Sequence, residues 1–331
     1  MKRIIPLLLF FCLLFTSCNG GKLEENTVSS DTVTEAETNA EVPVNRSVLN
    51  VMSFNIWGGG NWALETYDDY KKPIDGTLAT RGAKLNALLN GEGIDVAGLQ
   101  EIPAITKAWL RDELDEKYSF IENRFDESRE NVVIYRKDKF TVVDYGAFCL
   151  AKGAPQTSVI GWDADCIRDC VWVLFQVTET SEYFMFMTTH LDHIGNVARK
   201  QSASLIVGQM EELKQTVQTT YGIEACPMIL TGDMNSEPDS SVYATFTASL
   251  NDARVKAEGK TLNSLYSTGP GFKYYESVYD YIINGHTIDY IFLSKNVVSV
   301  SYKMIHTASN LCPYGEYISD HNAVIAEIQL P

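Results

Sequence analysis

Six short clusters hold the side chains of this chain that are suited to chemistry: Ser53-Phe54-Asn55-Ile56-Trp57, Gly98-Leu99-Gln100-Glu101-Ile102, Thr188-Thr189-His190-Leu191-Asp192-His193, Thr231-Gly232-Asp233-Met234-Asn235-Ser236-Glu237-Pro238, Ile288-Asp289-Tyr290-Ile291-Phe292 and Ser319-Asp320-His321-Asn322-Ala323-Val324. Carboxylates such as Glu101, Asp233, Asp289 and Asp320, with the amides of Asn55 and Asn235, are oxygen donors of the kind that hold hard divalent cations. His190 and His321 can donate or carry protons. Displacement at phosphorus needs this mixture: a cation, a polarised water, and donors for the phosphoryl oxygens. No cluster is specific alone. Asn55 ahead of Gly58 reads equally as a turn residue, Glu101 before Pro103 as a helix cap, and Gly232-Asp233 or Ser319-Asp320 as turn chemistry. Asp192 and His193 read best as residues that orient a neighbour or begin the helix that follows.

Groups of this kind work when a rigid sheet aims them from strand ends. β-rich runs are predicted at Leu49–Phe54, Ile94–Leu99, Val132–Tyr135, Val171–Val177, Tyr183–Thr188, Met228–Leu230, Ile288–Leu293 and Ala323–Ile328. Several end in the polar clusters. Helical patterns cover Thr80–Leu89, Ala104–Leu114 and Asn196–Val217, the last placing Ser202, Ile206, Met210, Leu213 and Val217 on one face. No 20 to 50 residue repeat interrupts this alternation, and no change of composition divides residues 47–331 into two domains.

Order and spacing together resemble the endonuclease/exonuclease/phosphatase superfamily, over about residues 48–330. Gly161-Trp162-Asp163-Ala164 with Arg168 and Trp172, and Ala198-Arg199 after His193, look like a secreted bacterial branch of it. The resemblance implies a four-layer α/β/β/α sandwich with two packed mixed sheets. It also implies one or two Mg²⁺ or Mn²⁺ ions, with Glu101 as principal ligand and Asn55 and Asp320 beside it. Asp233 would orient or deprotonate water, Asn235 would hold the phosphate, and His190 would donate to a phosphoryl oxygen. Asp289 would pair with His321 and fix its tautomer, while Asp192, His193 and Arg168 would stand behind these groups. A metallo-β-lactamase element is incomplete, because Thr188 occupies the place of its first histidine, and no Gly-x-Ser-x-Gly elbow marks a serine hydrolase. The alternative from another class is a catalytically silent surface lipoprotein of the same fold that binds a glycan or a protein.

The N-terminus reads as an address. Lys2 and Arg3 precede an apolar stretch too short to span a bilayer, and Leu14-Phe15-Thr16-Ser17-Cys18 is similar to a bacterial lipobox. Residues 1–18 are therefore expected to be a lipoprotein signal peptide, with lipidation at Cys18 and residues 19–46 as a disordered acidic tether to the cell envelope. Composition supports a globular body: 45% of the 331 residues are hydrophobic and 21% charged. The formal net charge is −16, most of it in that body, which disfavours nonspecific binding to long duplex DNA. Candidate substrates are a phosphorylated small molecule, a lipid headgroup or a nucleic acid, with no obligate protein partner evident. Trp57, Trp62, Tyr67, Phe272, Tyr274 and Tyr275 could border the cleft. Cys149, Cys166, Cys170, Cys226 and Cys312 are an odd set beyond Cys18, and Cys166 with Cys170 could close a small loop.

Overall fold

Alternation along single strands builds the layers. In β1 (Val48–Asn55), Leu49 and Val51 face one core while Met52 and Phe54 face another, the two-residue period of a strand buried on both sides. The first core lies between two sheets. The seven-stranded sheet runs β10 (Gly259–Lys260), β12 (Val298–Ile305), β13 (Ala323–Gln329), β1, β2 (Val96–Gln100), β4 (Val132–Arg136), β3 (Tyr118–Glu122). The six-stranded sheet runs β5 (Phe140–Cys149), β6 (Asp169–Val177), β7 (Tyr183–His190), β8 (Met228–Asp233), β11 (Asp289–Ser294), β9 (Leu250–Asp252). Between them Val51, Val96 and Val324 meet Val173, Phe175, Phe186 and Ile291, all buried. Each such side chain contributes about 1.5–3 kcal/mol when it is fully withdrawn from water.

Helices close both outer faces. Arg81–Gly91 and Ala104–Glu113 lay Leu85, Leu88, Trp109 and Leu110 on the back of the first sheet. Asn196–Tyr221 and Ser241–Ser249 lay Ala203, Ile206, Met210 and Phe246 on the second. The result is the expected α/β/β/α sandwich with two mixed sheets.

The computed structural model describes residues 46–58, 81–126, 130–260, 267–275 and 286–331. These fall within one compact unit, Asn45–Pro331. The leader with Cys18, all but the last residue of the tether, Trp62 and Tyr67 lie outside the described residues. Among the described residues no helix is long and apolar enough to cross a membrane.

Every predicted strand is present, its ends shifted by up to three residues, and the three helices fall at the expected places, the last running on to Tyr221. β3, β5, β9, β10, β12 and the helices Ser241–Ser249 and Ala253–Lys256 were not anticipated. The small loop that Cys166 and Cys170 could close does not form: neither of them, nor Cys149, Cys226 or Cys312, is in a disulfide. The strand period of β6 turns Cys170 into the core beneath the long helix, while Cys166 sits exposed on the loop before the strand.

The sheets approach each other closely below the polar clusters. Gly98 lacks the Cβ that would meet Thr231 Oγ1 at 2.0 Å and Thr188 Oγ1 at 2.5 Å. Gln100 Nε2 crosses the same gap to donate to Thr188 Oγ1 at 2.9 Å. A Gly98→Ala variant must therefore push the sheets apart or displace both threonines. It should lose about 1–3 kcal/mol, the usual cost of overpacking, in urea denaturation, and an unchanged midpoint would refute this close approach.

Candidate active site

Strand direction gathers the clusters at one edge. β1 and β2 are parallel with Asn55 opposite Gln100, and β7 and β8 are parallel with His190 opposite Asp233. Their C-terminal ends thus deliver Asn55, Glu101, His190 and Asp233. β11 is antiparallel to β8 and begins with Asp289 opposite Asp233. β13 is antiparallel to β1, so Asp320 and His321, just before its start, reach the same edge.

Asn55, fully buried, organises the first side. Its Nδ2 donates to Glu101 Oε1 at 2.9 Å and Asp233 Oδ2 at 3.1 Å, and its Oδ1 accepts from the Trp57 amide at 2.9 Å. Glu101 Oε2 accepts from the Gly58 amide at 3.0 Å, and a Cβ on Gly58 would lie 2.4 Å from the Glu101 carbonyl oxygen. Ser319 Oγ donates to the Asn55 carbonyl at 2.7 Å and tethers the Asp320 loop to the same strand end. Burial raises the Asp320 carboxyl above its ordinary value; His321 opposes the shift, and Glu101 and Asp289 add to it.

Asp233 and His321 form the second side. His321 Nδ1 lies 2.9 Å from Asp289 Oδ2, and its Nε2 lies 3.7 Å from Asp233 Oδ2. Burial disfavours charge on His321, but Asp289, Asp233 and Asp320 outweigh it and raise the ring to about 10. Burial and the neighbouring Asp289 raise Asp233 to about 7. Asp289 Oδ1 meets no donor among the described residues, and ligand atoms of Asp233, Asp289 and His321 lie within 4.8 Å of one another. Four carboxylates thus share an edge with few cations, and hard oxygen donors in that state suit a divalent ion.

His190 stands on the third side. Arg168 Nη1 lies 3.0 Å from its Nδ1, and because a guanidinium only donates, Nδ1 accepts and the proton sits on Nε2. Burial first, then the charges of Arg168, His321 and His193, hold the ring well below its usual value, so it is neutral. Asn235 Nδ2, 3.0 Å from Nε2, donates to the Leu191 carbonyl at 2.9 Å. The Nε2–H faces Asp233 Oδ2 at 3.5 Å. It is poised to donate to an incoming oxygen.

Asp192 does not join these groups directly. Burial alone would raise its carboxyl, but the amides of Gly195, Cys166, Asp165 and Ile194 hold it down to about 2. It ties the 165–166 loop to the start of the long helix, whose first amides at Val197 and Ala198 are accepted by Asp163. His193 is exposed and takes the other arm of Arg168, Nη2 to Nδ1 at 3.2 Å. Trp57 and Phe272 meet edge to face at 4.9 Å, with Tyr317 6.3 Å beyond Phe272. Tyr275 is instead buried, and Tyr274 is 75% exposed.

Sequence reasoning missed Arg81 and Thr268, and it placed Ser319 in a cluster without its tethering role. Arg81 is buried and donates to the carbonyls of Ile56, Trp57 and Ile318, clamping two site loops together. Thr268 Oγ1 accepts the amides of Ile288 and Asp289, each at 2.9 Å, and so fixes the start of β11. Nothing local to these residues signals the role.

A profile of the Endonuclease/Exonuclease/phosphatase family matches residues 52–321, and the chain belongs to that family. Among solved structures, a family member from Bacteroides thetaiotaomicron superposes with a TM-score of 0.68 at 25% identity, covering 87% of this chain and 97% of its own. A second, from Bacteroides vulgatus, gives 0.64 at 26% identity over 86% and 100%. A mannosyl-6-phosphatase from Bacteroides thetaiotaomicron also gives 0.64 at 26% identity, over 85% and 99%. No curated protein sequence matches this chain. Family and neighbours support a phosphoester hydrolase.

With divalent ions removed, His321 keeps its proton in the folded state at pH values where the unfolded chain has lost it. Stability should therefore fall as pH rises from about 6.5 to about 10. Melting temperatures in EDTA should show this upper limb, and Asp289→Asn should abolish it. An upper limb that survives this substitution would rule out the Asp289–His321 pair as its source.

Proposed function

We propose that the protein is a Mg²⁺- or Mn²⁺-dependent phosphoester hydrolase acting by in-line attack of an activated water. The observation that carries this reading is the meeting of Glu101, Asp233, Asp289 and Asp320 with His190 and His321 at one edge of the paired sheets. Glu101, Asn55 and Asp320 would hold the ion. The group of Asp233, Asp289 and His321 is less suited to a first ion, because His321 and Asp289 already satisfy each other at 2.9 Å. When bound, the ion supplies Lewis-acid polarisation of a phosphoryl oxygen and relief of the carboxylate repulsion.

The chain's own residues do the rest. Asp233, raised to about 7, accepts the proton of the attacking water. His321, held as imidazolium by Asp289, donates through Nε2 to a phosphoryl oxygen, and neutral His190 donates through its Nε2–H to another. Asn235, whose amide is anchored by Asp233 Oδ1 at 2.9 Å, keeps its side chain beside His190. Among substrates we favour a phosphorylated sugar. The mannosyl-6-phosphatase neighbour and the Trp57–Phe272 pair, a surface on which a sugar ring can stack, support this choice.

The test is turnover of a sugar 6-phosphate, bis-p-nitrophenyl phosphate, sphingomyelin and plasmid DNA with Mg²⁺, Mn²⁺ or EDTA. Turnover should require the metal, and Glu101→Gln, Asp233→Asn and His321→Ala should each lower it at least ~100-fold without unfolding. A folded His321→Ala variant that turns over normally would sink the mechanism. Silence on every substrate together with failure to bind Mg²⁺ would instead leave a binding protein of this fold.

We also propose attachment to the cell envelope through a lipid on Cys18, supported by Leu14–Cys18 and the acidic stretch after it. Cys18→Ala should move the protein from the membrane fraction to the soluble one. Retention in the membrane would exclude this anchor.

A further inference from the structure

Beyond the carboxylate cluster, three side chains with metal-binding atoms meet at the surface. Ligand atoms of Asp165, Cys166 and His193 lie within 4.8 Å of one another. Cys166 Sγ is 3.7 Å from Asp165 Oδ2, and His193 Nε2 is 4.0 Å from the same oxygen. Cys166 is exposed, whereas Cys149, Cys170, Cys226 and Cys312 are buried. The two segments that carry these donors are not free to separate. Asp192 Oδ2 accepts the amides of Asp165 and Cys166, each at 3.1 Å, while its Oδ1 accepts those of Ile194 at 3.0 Å and Gly195 at 2.6 Å. One buried carboxylate thus staples the loop bearing the thiol and one acid to the turn bearing the imidazole.

We propose that Asp165, Cys166 and His193 form a second metal site, separate from the catalytic cluster and selective for a borderline-soft divalent cation of the Zn²⁺ class. A thiolate, an imidazole and a carboxylate are the usual ligands of Zn²⁺, and three protein ligands leave one tetrahedral position for water. The same set is poor for Mg²⁺, which prefers octahedral oxygen. On binding, the sulfur–metal bond forms as the thiol proton leaves to solvent.

The site is wired to His190. Arg168 Nη2 donates to His193 Nδ1 at 3.2 Å, which keeps the ring proton on Nε2, the atom turned toward Asp165. Ligation through Nε2 moves that proton to Nδ1, where it confronts the guanidinium, and the cation itself repels Arg168. The other arm of Arg168 fixes the tautomer of His190 from 3.0 Å away. Occupancy of the surface site is therefore inhibitory: it draws Arg168 away from the arrangement that holds His190 ready to donate.

Co²⁺ is the spectroscopic probe, added to the full-length protein in excess Mg²⁺. A thiolate-to-cobalt charge-transfer band should appear in the wild type and in Glu101→Gln, and vanish in Cys166→Ser. This readout is independent of turnover. Zn²⁺ should inhibit the wild type, and Cys166→Ser, with unchanged basal activity, should need at least ~10-fold more of it, since even indirect ligand supports are worth ~10–100-fold in affinity. No band in the wild type, or one that persists in Cys166→Ser, overturns the site. A band without inhibition overturns the coupling through Arg168.

Discussion

Like charges crowded together at a water-poor edge are the constraint that the rest of this structure accommodates. Burial and mutual repulsion raise Asp233 and Asp320, so that edge is costly to hold in the absence of a cation. The surroundings offset part of the cost. Asn55 donates to two of the acids at once, the Gly58 amide reaches Glu101, and His321 sits between Asp289 and Asp233. Even the glycine at 58 follows from this demand, because any side chain there would strike the Glu101 backbone.

A sheet pair is well suited to bear such a load. The apolar seam between the sheets sets their spacing, and near the edge the packing changes from Val and Phe to Gly98, Gln100, Thr188 and Thr231. Small and polar groups there let the two sheets close in just where residues from both must cooperate. Arg81 then ties the Ile56–Trp57 and Ile318 loops together from behind. The acids are thus placed by backbone direction and inter-sheet distance, and their side-chain rotamers have little left to decide.

Much of this was legible in the sequence. Asn55, Glu101, His190, Asp233, Asp289 and His321 could be singled out because each follows or opens a short β-rich run, and all six reach one edge. Residues that act across the fold left no trace. Asp169 is held by Asn123 at 2.8 Å and Asn131 at 2.6 Å, some forty positions away in sequence, and Thr268 supports Asp289 from a separate loop. The strand β12 mixes Ser and Lys with Val, Tyr and Met, a weak pattern that only its pairing with β13 resolves. Cys166 and Cys170 illustrate the opposite error, since close spacing suggested a bond that does not form, with Cys170 buried in the core and Cys166 exposed.

Trp57, Glu101, Asn235 and Tyr317 all adopt left-handed backbone, with φ of 59°, 58°, 45° and 53°. For residues with side chains such conformations cost of order 1–3 kcal/mol each. At position 101 glycine would relax the backbone and also remove a repelled carboxylate. Selection for thermal robustness alone would therefore erode this edge. Variants enriched for heat resistance would drift toward a sturdier, silent sandwich, because a strained acid at 101 is a cost that folding alone does not require.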